Sequence, residues 1–273
     1  MSQDVLQERC IQTMLGKLRV RIGGEGPAIL FWPSLLMDGA MWSAVVHRLL
    51  PRYRVVLIDP PGHGGSSMLA RHFDFPTCAE CIVNVLDALG IERAHYVGNS
   101  WGAMIGGTFA ARHPDRIGVA ILMNGTASPC GSRQRLQFQL MVQIGRLRGI
   151  KGPLRARATA AFLGPTSLRE RPEIVASVRA ALARIDFQSA RWAVESVVIR
   201  RPDQHELIRT IRPPVMVVAG LEDATFPVSE TRAMADAIPD SSFVVMQRAA
   251  HLAGLECPAE TSDMIEAFIH RRG

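Results

Sequence analysis

A serine between two glycines is the residue of this chain best suited to carry chemistry. Residues 95–103 read HYVGNSWGA, which places Ser100 in a Gly-x-Ser-x-Gly pattern between an apolar run and a helical segment. On a sharp turn from strand to helix, the residues two before and two after the serine must be small, and Gly98 and Gly102 meet that need. This context predicts a nucleophilic serine rather than an ordinary structural turn.

A serine hydroxyl is a weak nucleophile near neutral pH, so its chemistry requires a base and a third group that orients the base. Candidates for both follow two later apolar runs. Residues 215–219 lead into Gly-Leu and then Glu222 and Asp223, and residues 243–246 lead into Gln-Arg-Ala-Ala and then His251. The sequence therefore predicts His251 as the base and leaves two carboxylates as candidates for the orienting group.

These candidates need a scaffold of alternating strands and helices, and the apolar pattern supplies one. Short apolar or β-branched runs, typical of strands buried on both faces, occupy residues 28–31, 54–58, 94–97, 118–123, 215–219 and 243–246. Helical patterns occupy residues 41–50, 77–89, 101–112, 229–237 and 259–271. An opening hairpin is predicted around a turn at Gly16 and Lys17. The alternation predicts an α/β fold with a mostly parallel sheet, helices on both faces and functional loops at the carboxyl ends of the strands.

The alternation is interrupted once, between Asn124 and Pro213. A gap of this length is too long for a structureless connection in a compact domain, and its Arg, Ala and Leu residues have helical spacing. We therefore predict a helical lid at residues 125–212, inserted into a core formed by residues 1–124 and 213–273. A separate helical domain is the alternative, and the strands that resume after the gap disfavour it.

Three further motifs complete a resemblance to the α/β-hydrolase superfamily over nearly the whole chain. They are DPPGHGGS from Asp59, ARHPDR from Ala111 and HLAGLECP from His251. The Gly-Asn-Ser turn is similar to that of bacterial ring-cleavage product hydrolases. The His-Leu-x-x-x-Glu-x-Pro ending looks more like enol-lactone hydrolases and small carboxylesterases.

The resemblance implies a role for each candidate. Ser100 would be the nucleophile, His251 the general base and then acid, and Asp223 the orienting group, because the family usually carries this acid three residues after the glycine. Glu222 is the rival carboxylate. Some relatives carry the acid after the strand that precedes the lid, where this chain has Asn124.

The family also needs two backbone N–H groups that stabilise the developing oxyanion. The resemblance implies that Trp101 provides one and that Leu35, in the loop after the third strand, provides the other. Pro33-Ser34 stands where the family usually has His-Gly, so this loop departs from the pattern, and proline restricts its backbone.

Substrate contacts are expected at Trp32, Ser34 and Arg191. Ordinary core packing is the alternative for Trp32, and solvent exposure is the alternative for Arg191, which lies where related ring-cleavage hydrolases hold a substrate carboxylate. His63, in the Pro-Gly-His-Gly loop, is expected to support the loop rather than to react.

The function implied by the resemblance is that of a cofactor-independent serine hydrolase, which cleaves a small carboxylic ester or lactone through an acyl-enzyme. Two alternatives remain: hydrolysis of a carbon–carbon bond in a ring-cleavage product, and a ligand receptor with the same fold and negligible turnover. No Walker loop, dinucleotide fingerprint or metal-ligand cluster is present in the sequence, so we expect neither cofactor nor metal. The expected partner is a small-molecule substrate, not nucleic acid or a membrane, and a homodimer remains open.

Composition limits the remaining classes. The 273 residues are 48% hydrophobic and 21% charged, which suits one globular α/β domain with an insertion. The first ten residues lack the apolar region of a secretory signal, so a cytoplasmic location is expected. Five scattered cysteines predict no disulfide framework, and the Cys78-x-x-Cys81 pair falls in a predicted helix, where core packing is the expected role.

Positive charge is concentrated in the predicted lid. The chain carries a net charge of +6; residues 131–212 hold fifteen arginines and Lys151 against six acidic residues, a balance of +10, which leaves −4 for the rest. Few aromatic residues accompany these arginines, which are spread over all helical faces. The pattern favours a solvated helical surface, with one arginine that faces a ligand, over a nucleic-acid interface.

Overall fold

Eight strands form one twisted sheet in the computed structural model, which describes residues 6–273. The strands are Gln7–Thr13 (β1), Gly16–Gly23 (β2), Ala28–Trp32 (β3), Arg54–Ile58 (β4), Ala94–Asn99 (β5), Ile117–Met123 (β6), Val215–Gly220 (β7) and Ser241–Met246 (β8). Their order is β1-β2-β4-β3-β5-β6-β7-β8. The β1–β2 and β2–β4 pairs are antiparallel and all the others are parallel, which confirms the predicted sheet.

Helices cover both faces of this sheet. They are Ser43–Leu49 (α1), Phe75–Ala88 (α2), Trp101–Arg112 (α3), Ser132–Arg148 (α4), Gly152–Phe162 (α5), Pro165–Glu170 (α6), Pro172–Arg184 (α7), Phe187–Val194 (α8), His205–Ile208 (α9), Val228–Asp236 (α10), Ala253–Glu256 (α11) and Pro258–Arg272 (α12). Neighbouring residues of β5 point to opposite faces. Tyr96 Oη donates to Gly102 O in α3 at 2.7 Å, whereas the His95 ring packs against Gly273 at the end of α12. The central strands are therefore buried on both sides.

Two local predictions were wrong. The hairpin turn lies at Met14 and Leu15, because Thr13 pairs with Gly16, which already belongs to β2. Strand β8 is not buried on both faces: Phe243 and Val244 are only half-buried, since β8 is the edge strand and pairs with β7 alone.

Helices α4 to α9 and a π-helical turn at Glu195–Ile199 occupy the stretch between β6 and β7. We refer to residues 125–212 as the insertion.

Cys78 and Cys81 are fully buried in α2, where burial raises the pKa of both thiols. None of the helices within residues 6–273 has the length and apolar character needed to cross a bilayer.

Candidate active site

Ser100 lies at the tight turn between β5 and α3, with φ at +56°. Only close approach of strand and helix allows this turn, and the two flanking glycines make that approach feasible. A Cβ atom on Gly98 would lie 2.3 Å from Gly102 O, and one on Gly102 would lie 2.3 Å from Trp32 O. Any larger residue at either position would force the backbone apart. The sequence pattern around Ser100 thus corresponds to the strained turn that it predicts.

The structure brings Ser100, His251 and Asp223 together in one hydrogen-bonded line. Ser100 Oγ is 2.8 Å from His251 Nε2, and His251 Nδ1 is 2.8 Å from Asp223 Oδ2. All three side chains are buried. Because ionised Asp223 can only accept, this arrangement places a proton on His251 Nδ1 and leaves Nε2 free to accept the proton of Ser100.

The two candidate carboxylates after β7 have different partners. Asp223 Oδ1 accepts the backbone N–H groups of Thr225 at 2.7 Å and Phe226 at 3.1 Å, which orients its second oxygen toward His251. Glu222 accepts from the backbone N–H of Thr166 at 2.9 Å and also from the hydroxyl of the same residue. Glu222 therefore connects the core to α6 of the insertion and does not contact His251.

The backbone around His251 is held by three buried polar side chains. Asn99 Nδ2 and Asn124 Nδ2 donate to His251 O at 2.7 and 2.9 Å, and Asn124 also donates to Ala250 O at 2.7 Å. Glu256 accepts the backbone N–H of Ala250 at 2.9 Å. Burial raises the pKa of Glu256, although its hydrogen bonds act in the opposite direction.

Sequence reasoning did not assign these supporting roles. The only signals were the asparagine before Ser100, the Asn124 that replaces an alternative acid, and the glutamate five residues after His251. Asn124 also accepts the backbone N–H of Gly220 at 2.7 Å, so it joins the ends of β6 and β7 to the histidine loop.

A second histidine holds the loop after β3. His63 Nδ1 lies 2.9 Å from Pro61 O, so Nδ1 carries the proton and Nε2 accepts the backbone N–H of Leu36 at 3.2 Å. Leu36 has φ at +64°, a left-handed conformation that a leucine rarely adopts. Burial lowers the pKa of His63, which favours the neutral form that can accept this bond. His63 thus supports the loop, as its position in the sequence indicated.

The predicted oxyanion donors, Leu35 and Trp101, are both near Ser100. Leu35 lines the cavity that contains Ser100, and Trp101 begins α3 directly after Ser100. Within residues 6–273, the backbone N–H groups of both residues donate to no protein acceptor. Two N–H groups at these positions remain available for a ligand oxygen.

Ser100 and His251 open onto a cavity of about 330 Å³. Its walls are mainly apolar and come largely from the insertion: Phe138, Met141, Val142, Ile150, Leu154, Ala158, Ala161, Phe162, Phe187, Val194, Val197 and Val198. The ring of Phe162 stacks on that of His251, with centroids 5.8 Å apart, and Phe226 lies 5.6 Å from the same imidazole. A larger cavity of about 950 Å³ elsewhere on the molecule contains none of the three hydrogen-bonded residues.

Three residues expected to contact substrate do not line this cavity. Trp32 and Ser34 are fully buried and absent from its lining. Trp32 ends β3 and packs edge-on against Trp101 with centroids 5.6 Å apart. The Arg191 guanidinium lies 3.8 Å above the Trp192 ring and pairs with Glu195 at 3.7 Å. Contact of these three residues with a substrate stays a prediction, and their positions outside the cavity lining do not favour it.

Two other arginines reach the cavity wall. Arg157 comes from α5, and Arg201 follows the π-helical turn near the end of the insertion. The sequence could not single them out, because arginines are spread over all helical faces of the insertion. Among residues 6–273, no group of three side chains is arranged to hold a metal ion.

Comparisons with known proteins agree with the α/β architecture of the chain. The sequence model of the family described as "alpha/beta hydrolase fold" matches residues 27–258. The chain is 27% identical over 247 residues to 3-oxoadipate enol-lactonase 2 of Acinetobacter baylyi, with 90% of each chain covered. It is 28% identical over 259 residues to a 2-hydroxy-6-oxononadienedioate/2-hydroxy-6-oxononatrienedioate hydrolase of Paraburkholderia phymatum, covering 92% of this chain and 86% of that one.

Among solved structures, a thermophilic esterase of Thermogutta terrifontis superposes with a TM-score of 0.89 at 24% identity, covering 97% of this chain and 98% of that chain. At that identity the likeness concerns the fold alone. The three comparisons together agree on the architecture, and the names of the sequence relatives differ in the substrate that they state.

Proposed function

The chain belongs to the alpha/beta hydrolase fold family, and from that premise we propose that it cleaves a small carboxylic ester or lactone through an acyl-enzyme. The observation that carries this proposal is the line from Ser100 Oγ through the His251 ring to Asp223, with 2.8 Å at each step. This geometry suits a nucleophile, a base and an orienting carboxylate. The burial of these three residues beside a mainly apolar cavity favours an organic substrate with little charge over a highly charged one.

The proposed first step is attack of Ser100 Oγ on the carbonyl carbon while its proton passes to His251 Nε2. Asp223 keeps the proton on Nδ1 and stabilises the imidazolium that forms. The resulting oxyanion would accept hydrogen bonds from the free backbone N–H groups of Leu35 and Trp101. His251 then returns its proton to the departing alcohol, or to the ring-opened oxygen of a lactone, and the acyl-enzyme remains.

Water completes the proposed cycle. His251 takes a proton from the water as it attacks the acyl carbon, and collapse of the second tetrahedral intermediate releases the acid and restores the Ser100 hydroxyl. We further propose that the insertion acts as a lid, since its side chains form most of the cavity wall and Phe162 covers one face of His251. Such a lid would limit access of bulk water to the acyl-enzyme.

The proposal is tested by turnover and by covalent labelling together. Purified protein is assayed with a panel of short-chain esters and lactones, then treated with paraoxon and examined by peptide mass spectrometry. We expect hydrolysis in the panel and a diethylphosphoryl adduct on Ser100. Ser100→Ala should lose on the order of a millionfold in kcat, because it removes only the nucleophile. Ser43→Ala, at an exposed serine that begins α1, is the matched control.

A second candidate function is hydrolysis of a carbon–carbon bond by the same three residues. It is supported by the Gly-Asn-Ser turn and by the relative at 28% identity whose name describes a ring-cleavage product hydrolase. Release of product from a ring-opened dienoate, with no turnover of esters or lactones, would favour this candidate. Absence of turnover on all of these substrates, with a ligand that still binds, would favour a receptor instead.

A further inference from the structure

Arg201 is a buried arginine at the edge of the candidate active site. Only 6% of its surface is exposed, yet it lines the same cavity as Ser100 and His251. An arginine remains charged at any pH that the protein tolerates, so this position brings a positive charge into a mainly apolar cavity. A buried charge is costly unless a partner of opposite sign compensates it.

The protein itself provides only part of that compensation. Arg201 Nε donates to Ser128 O at 2.8 Å, and Nη2 lies 3.4 Å from Gln134 Oε1. Both acceptors are neutral. Among the described residues, Arg201 forms no ion pair, and its Nη1 donates to no protein group. Glu230, whose charge acts on the pKa of Arg201, accepts instead from the Thr126 hydroxyl.

The pKa of Arg201 reflects this imbalance. Burial lowers it from its ordinary value, and the nearby Cys130 and Glu230 oppose that effect only in part. Of the residues that line the cavity within residues 6–273, Arg157 and Arg201 are the two arginines, and none is an aspartate or glutamate. No carboxylate of the described residues lines the cavity beside these arginines, and Glu230 outside it compensates the charge of Arg201 only in part.

Arg201 also lies within reach of the reacting atoms. Phe226 contacts both groups: its ring is 5.5 Å from the Arg201 guanidinium carbon and 5.6 Å from the centre of the His251 imidazole. The distance from the guanidinium carbon to the centre of the imidazole is therefore at most the sum of those two distances. Dicarboxylic acyl chains of about five to eight carbons cover separations up to this bound.

We propose that Arg201 binds a carboxylate of the substrate, so that the preferred substrate is a small ester or lactone bearing a second, ionised carboxyl group. This inference rests on the proposed ester or lactone hydrolysis and adds its substrate class. The substrate carboxylate supplies the counter-charge that the cavity lacks, and it accepts hydrogen bonds from the outer guanidinium nitrogens. It also orients the scissile carbonyl toward Ser100.

The test compares paired substrates that differ only in this charge. Monomethyl esters of straight-chain dicarboxylic acids with five to eight carbons are assayed beside methyl esters of monocarboxylic acids of equal length. We expect wild-type kcat/KM to be about ten- to a hundredfold higher for the anionic member at the best length, the size of a charge-assisted hydrogen bond. Equal values at every length would overturn the proposal without the need for any variant.

Variants then assign the preference to Arg201. Arg201→Gln should lower kcat/KM for the anionic ester at least about tenfold more than it lowers the value for the neutral ester, so that most of the preference is lost. Arg201→Lys should retain part of the preference, because it keeps the charge but not the planar pair of donors. Arg200→Gln is the matched control, since the neighbouring Arg200 is exposed and does not line this cavity. A preference that survives Arg201→Gln and disappears in Arg157→Gln would move the role to the other arginine and contradict the proposal.

A binding measurement separates failure of this inference from failure of the proposed function. Calorimetric titration with each free dicarboxylate of five to eight carbons requires no turnover, and the one that binds the wild type most tightly should bind Arg201→Gln at least about tenfold more weakly. If no ester or lactone is cleaved but this difference holds, the hydrolytic proposal fails and the anion site stands. If neutral and anionic esters are cleaved equally and the dicarboxylate binds both proteins alike, the anion site fails and the hydrolytic proposal stands.

Discussion

His63 Nε2 accepts the backbone N–H of Leu36 at 3.2 Å, so the loop after β4 fixes the loop after β3. This contact lies next to Leu35, the proposed oxyanion donor, in a segment where Pro33-Ser34 replaces the usual His-Gly. Leu36 has φ at +64°, which is costly for a leucine, so the loop needs a contact that holds its N–H groups in this conformation. The buried imidazole, whose other nitrogen is committed to Pro61 O, supplies that contact.

We therefore expect His63→Phe to lower kcat about ten- to a hundredfold with little change in KM. Phenylalanine preserves the aromatic packing on Trp101 but cannot accept from Leu36, so the oxyanion donor becomes less well ordered where charge develops only in the transition state. Steady-state kinetics with one neutral ester measures this effect. His72→Phe, at an exposed histidine, is the control. An unchanged kcat in His63→Phe would remove this loop contact from the mechanism.

The carboxylates after β7 should respond differently to substitution. Asp223→Asn should lower kcat on the order of 10⁴-fold, because the amide supports the wrong tautomer of His251, as in the trypsin example of this substitution. Glu222→Gln should leave kcat within about threefold while lowering the melting temperature by a few degrees, because it weakens the contact with Thr166 in the insertion. A larger loss of activity in Glu222→Gln than in Asp223→Asn would show that the wrong carboxylate has been assigned.

Asn124 should be important for stability rather than for chemistry. Its amide donates to Ala250 O and His251 O and accepts from Gly220 N, all in the buried interior. Asn124→Asp replaces the donor with a carboxylate that faces two carbonyl oxygens, so we expect a loss of at least about 2 kcal/mol in the free energy of unfolding. Urea denaturation monitored by circular dichroism measures it. A loss of less than about 0.5 kcal/mol would contradict the role of this amide as a buried junction.

The pKa of His95 predicts a specific dependence of stability on pH. Burial, with a smaller contribution from Arg93, lowers the pKa of His95 to about 4, whereas a histidine in the unfolded chain has its ordinary pKa of 6.5. Between these pH values the unfolded state binds more protons than the folded state, so the free energy of unfolding falls as the pH falls from 6.5 toward 4. Below that range the stability lost through His95 has reached its full value. The buried, neutral His63 adds to the same trend.

His95→Asn should therefore flatten the decrease of the melting temperature between pH 6.5 and pH 4. The amide oxygen can replace the imidazole as acceptor for the Val119 N–H but does not titrate. Thermal unfolding in a series of buffers measures the slope, and His270→Asn, at an exposed histidine of α12, is the control. An identical slope in His95→Asn and the wild type would exclude a depressed pKa at this position.

The charge of the insertion predicts an effect of salt that is separate from binding at Arg201. Residues 131–212 carry a balance of +10, mostly on exposed arginines, so they should attract an anionic ester before it reaches the cavity. We expect kcat/KM for the anionic ester to fall several-fold as ionic strength rises from about 0.01 to 0.3 M, and the value for the neutral ester to stay nearly constant, because added salt screens such fields over about 10 Å at 0.1 M.

The same salt dependence should persist in Arg201→Gln, since one buried arginine contributes little to a field produced by many surface charges. Stopped-flow or initial-rate measurements at several salt concentrations provide the comparison. Equal salt profiles for the two esters would assign the surface arginines to solvation alone.

Much of the scaffold was accessible from the sequence because its signals are local. Each of the six apolar runs corresponds to a strand whose bounds differ by at most two residues from the prediction, and the residues at 101–112 form α3 without any shift. The turn at Ser100 was accessible for the same reason, because the contact that requires glycine at position 98 is with Gly102, four residues along the chain. The contact that requires glycine at position 102 is with Trp32 in β3, but the glycine itself is visible in the local pattern. The exceptions, the hairpin turn and the exposure of β8, depend on pairing with other strands.

The sequence by itself determined the α/β architecture, the strained turn at Ser100 and the order of the candidate residues along the chain, because backbone sterics and apolar periodicity act over short distances. Only the tertiary structure decided which side chains meet. It pairs His63 with Leu36, directs Glu222 to Thr166, and brings Arg201 rather than Arg191 to the cavity. The first outcome depends on how two loops of the core pack together. The other two depend on how the insertion is oriented against the core, and an arginine-rich helix with polar residues on every face carries no local signal that specifies its rotation.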